Sequence, residues 1–411
     1  MGGPVSRLAL VAIAAGLLAV AGCGGGGGSS AVNNGGGGGG GGGGSASNSQ
    51  SISANLGPTG NYVNGVFTNV TVCVPGTANC QTIPVLVDTG SSGLRLLASG
   101  AAGGQLSLAL PQENASTGSP LVECAQFASG STWGPIKLAD IQLAGETASS
   151  VPIQVIDTST YNTIPQFCPT PFSNTLNDLG TYGLLGVGVF RQDCGSGCTA
   201  PGFHVYFSCA PPSTCTEVGA TLAQQAQNPV WMFSSSDNNG VVIELPQIAA
   251  GGALTAAGTI LFGIGTQSNN ALGSATVMTT AADGTLSTTF NGTTYTETFV
   301  DTGSNGYFIL SSGLTGMPLC PDGSGFYCPA TTQSFMAINK GANGASSAVN
   351  FSVSDEQTLF STNNAAFNDL GGENTLPPAF DWGLPFFYGR TVFVGIEGQS
   401  TPGGTGPYFA Y

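Results

Sequence analysis

Apolar and polar positions along the chain fall into three textures. Leu8 to Val20 is a nearly unbroken apolar run behind Arg7. Residues 24–56 are almost wholly Gly, Ser, Asn and Ala, with no apolar period. From Gly57 onward short β-branched segments alternate with turn residues. Asn61 to Val74 alternates, Cys73 and Cys80 bracket a Pro75-Gly76 turn, and Ile83 to Val87 runs straight into Asp88. Such period-two segments predict strands joined by hairpins. Residues 98–120 read as loop, and the arms around Ala128-Ser129-Gly130-Ser131 as a hairpin with a flexible Gly-Ser tip. Thr259 to Phe262, Thr285 to Thr289, Thr293 to Thr298 and Pro407 to Tyr411 are further strands. Pro229 to Ser236 and Val241 to Leu245 predict a hairpin about Asp237-Asn238-Asn239-Gly240. Ala223 to Gln227 reads as a short helical stretch. The predicted class is all-β.

One strand–turn unit occurs twice. Val87-Asp88-Thr89-Gly90-Ser91 and Val300-Asp301-Thr302-Gly303-Ser304 share an offset of 213 residues (301 − 88), and Gly93 with Gly306 and Leu97 with Leu310 keep it. A buried strand that delivers a carboxylate onto a small-residue turn is a weak signal alone. A copy that includes its flanks points to internal duplication and to two lobes, each contributing one carboxylate.

On these motifs the chain resembles two-lobed, pepsin-like aspartic peptidases, in which each lobe supplies one Asp-Thr-Gly. The resemblance covers about residues 58–411 and implies a double β-barrel with a cleft between lobes. It implies catalysis by Asp88 and Asp301, with Thr89, Gly90, Ser91, Thr302, Gly303 and Ser304 as substrate-binding residues around them. Phe127, Gly130 and Ser131 fall where the family carries a flap over substrate. The threonines and glycines would hold the carboxylates coplanar, and Ser91 and Ser304 would donate hydrogen bonds behind them. Leu184-Leu185-Gly186 resembles the family's hydrophobic-hydrophobic-Gly element beneath the aspartate loop. In the second lobe either Gly383, after an unusual Asp381, or Pro385 fills the glycine position. Two positions depart from the pattern: Phe127 replaces the usual flap tyrosine, and Arg95 the usual tryptophan after the first motif. An Arg95 that reached the dyad would deplete its shared-proton form. The chain also resembles bacterial lipoproteins that share Asp-Thr-Gly-Ser-Ser-Gly-Leu-Arg and Gly-Leu-Pro-Phe-Phe.

Composition narrows the partners. Only 7% of the 411 residues are charged, and 21 acidic against 6 basic residues give a net charge of −15. Such a chain is repelled by nucleic-acid phosphates and anionic lipid. The apolar run from Leu8 to Val20 is too short to span a membrane, and residues 1–22 around it predict a secretory signal. It ends Val20-Ala21-Gly22-Cys23, which resembles a lipobox with Cys23 as the lipidated residue. By the sorting pattern of lipoproteins the following glycine implies the outer membrane. Residues 23–57 then form a tether, 58–266 the first lobe and 267–411 the second.

Ten further cysteines in an exported chain predict disulfides. Cys73 with Cys80, Cys209 with Cys215 and Cys320 with Cys328 can close short loops. Cys124, Cys168, Cys194 and Cys198 allow three pairings, of which Cys194–Cys198 with Cys124–Cys168 is favoured. A zinc site at Cys194, Cys198, Cys209 and Cys215 lacks the usual paired knuckles.

With one histidine, His204, there is no His-rich metal site, and a Ser-His-Asp triad would have to use a residue inside a cysteine-stapled insertion. No phosphate loop follows the glycine runs, since no Lys-Ser/Thr comes after them. The expectation is a cofactor-free monomer acting on peptide or protein, hydrolysing through water activated by the Asp pair. The competing expectations are a non-catalytic surface module that binds extended peptide or glycan, and a purely structural lipoprotein.

Overall fold

The computed structural model describes residues 48–210, 215–234, 236–309, 312–374 and 379–411. The signal, Cys23 and most of the expected tether therefore lie outside the described residues. The tether ends earlier than expected. Ser49–Asn55 is a strand, β1, that pairs with Ala256–Phe262 on one side and Gly65–Cys73 on the other. Its Ile52 and Ala54 are fully buried while Ser51 and Ser53 face outward, a short alternation that the surrounding Ser/Asn composition hides.

The first lobe continues with β2 (Gly65–Cys73), β3 (Cys80–Asp88), β4 (Ser92–Leu97), β5 (Leu121–Phe127), β6 (Gly130–Leu143), β7 (Glu146–Ile156) and β8 (Gly183–Val187). After these come β9 (Tyr206–Cys209), β10 (Cys215–Glu217), β11 (Gly240–Leu245) and β12 (Ala256–Phe262). The second lobe holds β13 (Val277–Thr279), β14 (Leu286–Phe290), β15 (Thr293–Val300), β16 (Tyr307–Ile309), β17 (Gln333–Lys340), β18 (Ser346–Val353), β19 (Gly371–Glu373) and β20 (Ala379–Trp382). It closes with β21 (Arg390–Gly395), the two-residue strands β22 (Ser400–Thr401) and β23 (Gly404–Thr405), and β24 (Tyr408–Ala410).

A shared sheet joins the lobes: β1, β12, β11, β21, β24 and β13 are neighbours in that order, and β2 continues it into the first lobe. The expected boundary at Thr266 lies in the connection between β12 and β13. The second lobe adds its own sheet, β18-β17-β14-β15-β20-β16-β19. Two sequence expectations fail near Pro229. Asn228 accepts from the Val230 N–H, and Pro229–Met232 is a 3-10 turn, so β11 pairs with β12 and β21 rather than forming a hairpin. Proline also forces residue 228 to extend, which limits 223–227 to turns.

The two aspartate loops are built alike. In the first lobe β8 slots between β3, in parallel, and β4, antiparallel, with Asp88 opposite Gly186. In the second, β20 lies between β15 and β16 in the same senses, with Val300 opposite Trp382. Gly383 is therefore the counterpart of Gly186. A methyl group there would sit 2.1 Å from Gly306 O, so only glycine admits the crossing chain. Pro385 instead opens the next 3-10 turn.

All five disulfides form: Cys73–Cys80, Cys124–Cys168, Cys194–Cys198, Cys209–Cys215 and Cys320–Cys328. The zinc alternative therefore has no free thiol among these residues.

Candidate active site

Both aspartates leave the ends of buried strands, and the turn after each folds back on its own carboxylate. Gly90 N–H and Ser91 N–H donate to Asp88 Oδ1 at 2.8 and 3.1 Å, and Ser91 Oγ donates to Oδ2. Gly303 N–H donates to Asp301 Oδ1 at 2.7 Å and Ser304 Oγ to Oδ2 at 2.9 Å. The loops also meet. Gly90 N–H reaches Asp301 Oδ1 as well, at 3.2 Å, so one donor serves both carboxyls. A methyl group on Gly90 would lie 2.5 Å from Asp301 Cγ, and one on Gly303 would lie 2.9 Å from Asp88 Oδ1. Each glycine is the seat of the opposite lobe's aspartate.

Thr89 and Thr302 form the frame beneath. Thr89 Oγ1 donates to Val300 O at 2.8 Å and accepts from Thr302 N–H at 3.0 Å. Thr302 Oγ1 donates to Val87 O at 2.7 Å and accepts from Thr89 N–H at 3.1 Å. With both hydroxyls committed and buried, these threonines position the carboxylates and are not placed to touch a substrate.

The electrostatics are those of carboxyls crowded out of water. Burial first, then the Asp88 charge, then Asp381, push the Asp301 carboxyl well above the usual carboxylate range. A second negative charge beside Asp88 is therefore costly at Asp301.

The hairpin of β5 and β6 differs from expectation. Its turn is Ala128-Ser129, and Gly130 and Ser131 already belong to β6. Ser131 N–H donates to Pro171 O and Ser131 O accepts from Ser173 N–H, which pins this arm to the 171–173 segment instead of freeing it over the cleft. Phe127 is buried in a cluster with Tyr62, Phe67, Leu86 and Leu184, and Ala128 packs on the second-lobe cluster of Phe308, Phe326 and Phe367.

Tyr62 was not singled out in the sequence. Its ring is buried, its hydroxyl has no hydrogen-bond partner, and after burial the Asp301 and Asp88 charges raise its pKa further. Asn64, two residues on, ties this loop to the second lobe. Its Nδ2 donates to Asn305 O and Phe367 O, and its Oδ1 accepts from Phe367 N–H and Tyr388 OH. Only the fold brings residue 62 to the dyad, so no sequence signal marked it. Asp88 and Asp301 are left 2% and 1% exposed.

Arg95 does not reach the dyad. Its guanidinium donates to Glu123 Oε1 at 2.8 Å and Asp193 Oδ2 at 3.4 Å, and lies 5.4 Å from the centre of the Phe127 ring. Burial and then the Glu123 charge push the Asp193 carboxyl up, so this buried trio is best satisfied by one cation, one anion and one neutral acid. His204 lies in the stapled insertion, where it pairs with Glu217 at 2.9 Å and stacks on Phe167.

A duplicated strand–turn loop, a shared basal sheet and two facing aspartates define the two-lobed, all-β fold of the pepsin-like aspartic proteinases. The aspartic proteinase from Irpex lacteus is similar in fold, with a TM-score of 0.52 at 16% identity, over 88% of this chain and 96% of that one. The chain itself belongs to a family described as protein of unknown function, DUF3443, which matches residues 44–411. A search of curated proteins gives no match.

Proposed function

We propose that the chain is an aspartic endopeptidase that hydrolyses peptide bonds with water activated between Asp88 and Asp301. The observation that carries this reading is the single Gly90 N–H shared by both carboxyls, which holds them at one locus. A dyad that retains one proton offers a base to the water and an acid to the amide nitrogen. Ser91 and Ser304 steady the outer oxygens, and the threonine frame keeps the pair in register. A peptide reaches the dyad once the Tyr62 side chain and the Phe127–Ser129 turn withdraw. The anchor belongs to the same proposal: lipid on Cys23 holds the enzyme at the outer membrane, and the glycine-rich stretch sets it off the surface. Each buried CH₂ of such a lipid contributes about 0.8 kcal/mol.

The near-complete burial of both carboxyls favours a second reading, a surface module that binds extended peptide or glycan without turnover. Incubating the full chain with a peptide library from acid to neutral pH separates the two. Cleavage that Asp88→Asn reduces by about 10²–10⁴-fold, and that a pepstatin-type inhibitor blocks, supports the enzyme. Peptide retention with no new termini supports the module.

A further inference from the structure

The unpaired edge of a sheet offers a row of free N–H and C=O groups, and a stable fold covers, shortens or uses it. Three of the four ends of the two large sheets are strands of three residues: β10, β13 and β19. The 341–344 turn lies against β13, where Ala342 N–H donates to Thr279 O and Asn343 Nδ2 to Val277 O. Beside β19, Tyr327 N–H donates to Gly371 O and Glu373 N–H to Gly325 O. β10 is stapled to its neighbour by Cys209–Cys215.

The fourth end is β18, Ser346–Val353, whose eight residues keep unbroken antiparallel register with β17. Its other edge meets no backbone partner among the described residues. It also lacks the usual devices that close such an edge, having no charge, no proline and no bulge. An apolar face runs alongside. β18 turns Val349, Phe351 and Val353 under the lobe and leaves Ala348 and Asn350 exposed. Opposite these two on β17, Ile338 and Met336 are 41% and 58% exposed. Lys340 is the one charged residue between Asp322 and Asp355. The net charge of −15 repels a second copy of the chain, and this hairpin adds nothing to that repulsion.

The strand is also matched to itself. Residues directly opposite in an antiparallel pair point to the same face. Turned about a two-fold axis at Asn350, β18 meets its own copy with Val349 against Phe351 on the inward face and Ala348 against Ser352 on the outward face. Pairs of a β-branched with an aromatic side chain are among the stabilising ones. A slip of one residue would set inward side chains against outward ones.

We propose that β18 is the interaction surface for a second copy of this chain, the two strands pairing antiparallel about a two-fold axis so that two seven-stranded sheets run on as one. This departs from the monomer expected from the sequence. The second aspartate loop joins β15 to β16, away from the β18 end of the sheet, so the assembly stands or falls apart from the peptidase reading.

The test is sedimentation velocity of the full chain over a concentration series, with amide hydrogen exchange read at the same concentrations. The mass is expected to rise from one copy to two, and the β18 amides to gain protection as it does. Added salt tightens the association, because it screens two like net charges. Asn350→Lys sets a charge against its own copy across the axis and is expected to weaken the dimer about fivefold. Asn350 is exposed, so this variant keeps the wild-type melt, and Thr296→Lys, exposed on β15 away from the edge, keeps the dimer. A chain that stays monomeric at every concentration overturns the proposal; protection of β18 by an added peptide would then assign the edge to peptide. A dimer that Asn350→Lys leaves intact, or that salt disperses, overturns it as well, since its contact lies elsewhere.

Discussion

At the scale of single residues, the frame under the dyad depends on two hydroxyls. Thr89→Ala removes the donor to Val300 O and the acceptor of Thr302 N–H, and leaves both backbone groups buried and unpaired. The expected cost is about 2–4 kcal/mol, read from denaturant midpoints at unchanged m-value. Asp88, Asp301 and their turns were legible in the sequence because the duplication preserves residue type and spacing. Thr89 and Thr302 were expected to hold the carboxylates coplanar, but the partners through which they do so, Val300 O and Val87 O, are backbone atoms of the other loop and carry no mark in the sequence. Arg95 shows the reverse problem. Its departure from the family pattern was visible, but its partners lie 28 and 98 residues further on, and nothing local marks Glu123 or Asp193 as its counter-charges. Asp381 was noticed as unusual, and only strand register places it opposite Phe299 and Phe308.

Among the elements, β1 carries the clearest lesson. Seven residues from a serine-rich, charge-free stretch became a central strand because β2 and β12 present open edges on either side. Composition favoured a tether, and tertiary pairing overrode it. A chain that begins after Leu56 is expected to lose the cooperative thermal transition or to melt far lower, since Val66 and Ile260 of the neighbouring strands would be stripped of cover. Circular dichroism melts of the truncated and full chains check this. The hairpin of β5 and β6 was correctly placed as an element, with its turn displaced by two residues. The alternation of apolar positions fixes strands well, whereas the cross-link of Ser131 to the 171–173 segment is a long-range event with no local cue.

For the whole molecule, the scarcity of cations and the raised carboxyls set the response to pH. Asp193, Asp301 and Asp381 all bind protons more tightly folded than unfolded. Between the ordinary carboxylate range and those raised values the native state holds more protons, so stability falls as pH rises. Thermal midpoints measured from about pH 4 to pH 7 are expected to decline across that window, with Asp193→Asn flattening the slope. A midpoint that climbs toward neutrality would contradict the burial of these acids.

The sheet beneath both lobes takes its first strand from residues 49–55 and its last from 408–410, four strands away. That platform closes only when strands far apart along the chain have come together. The first loop is made early, and until residues 300–303 follow, Gly90 has no opposing aspartate to seat and Thr89 no partner to grip. The carboxyl pair therefore comes into existence only once both halves of the duplication have folded against each other.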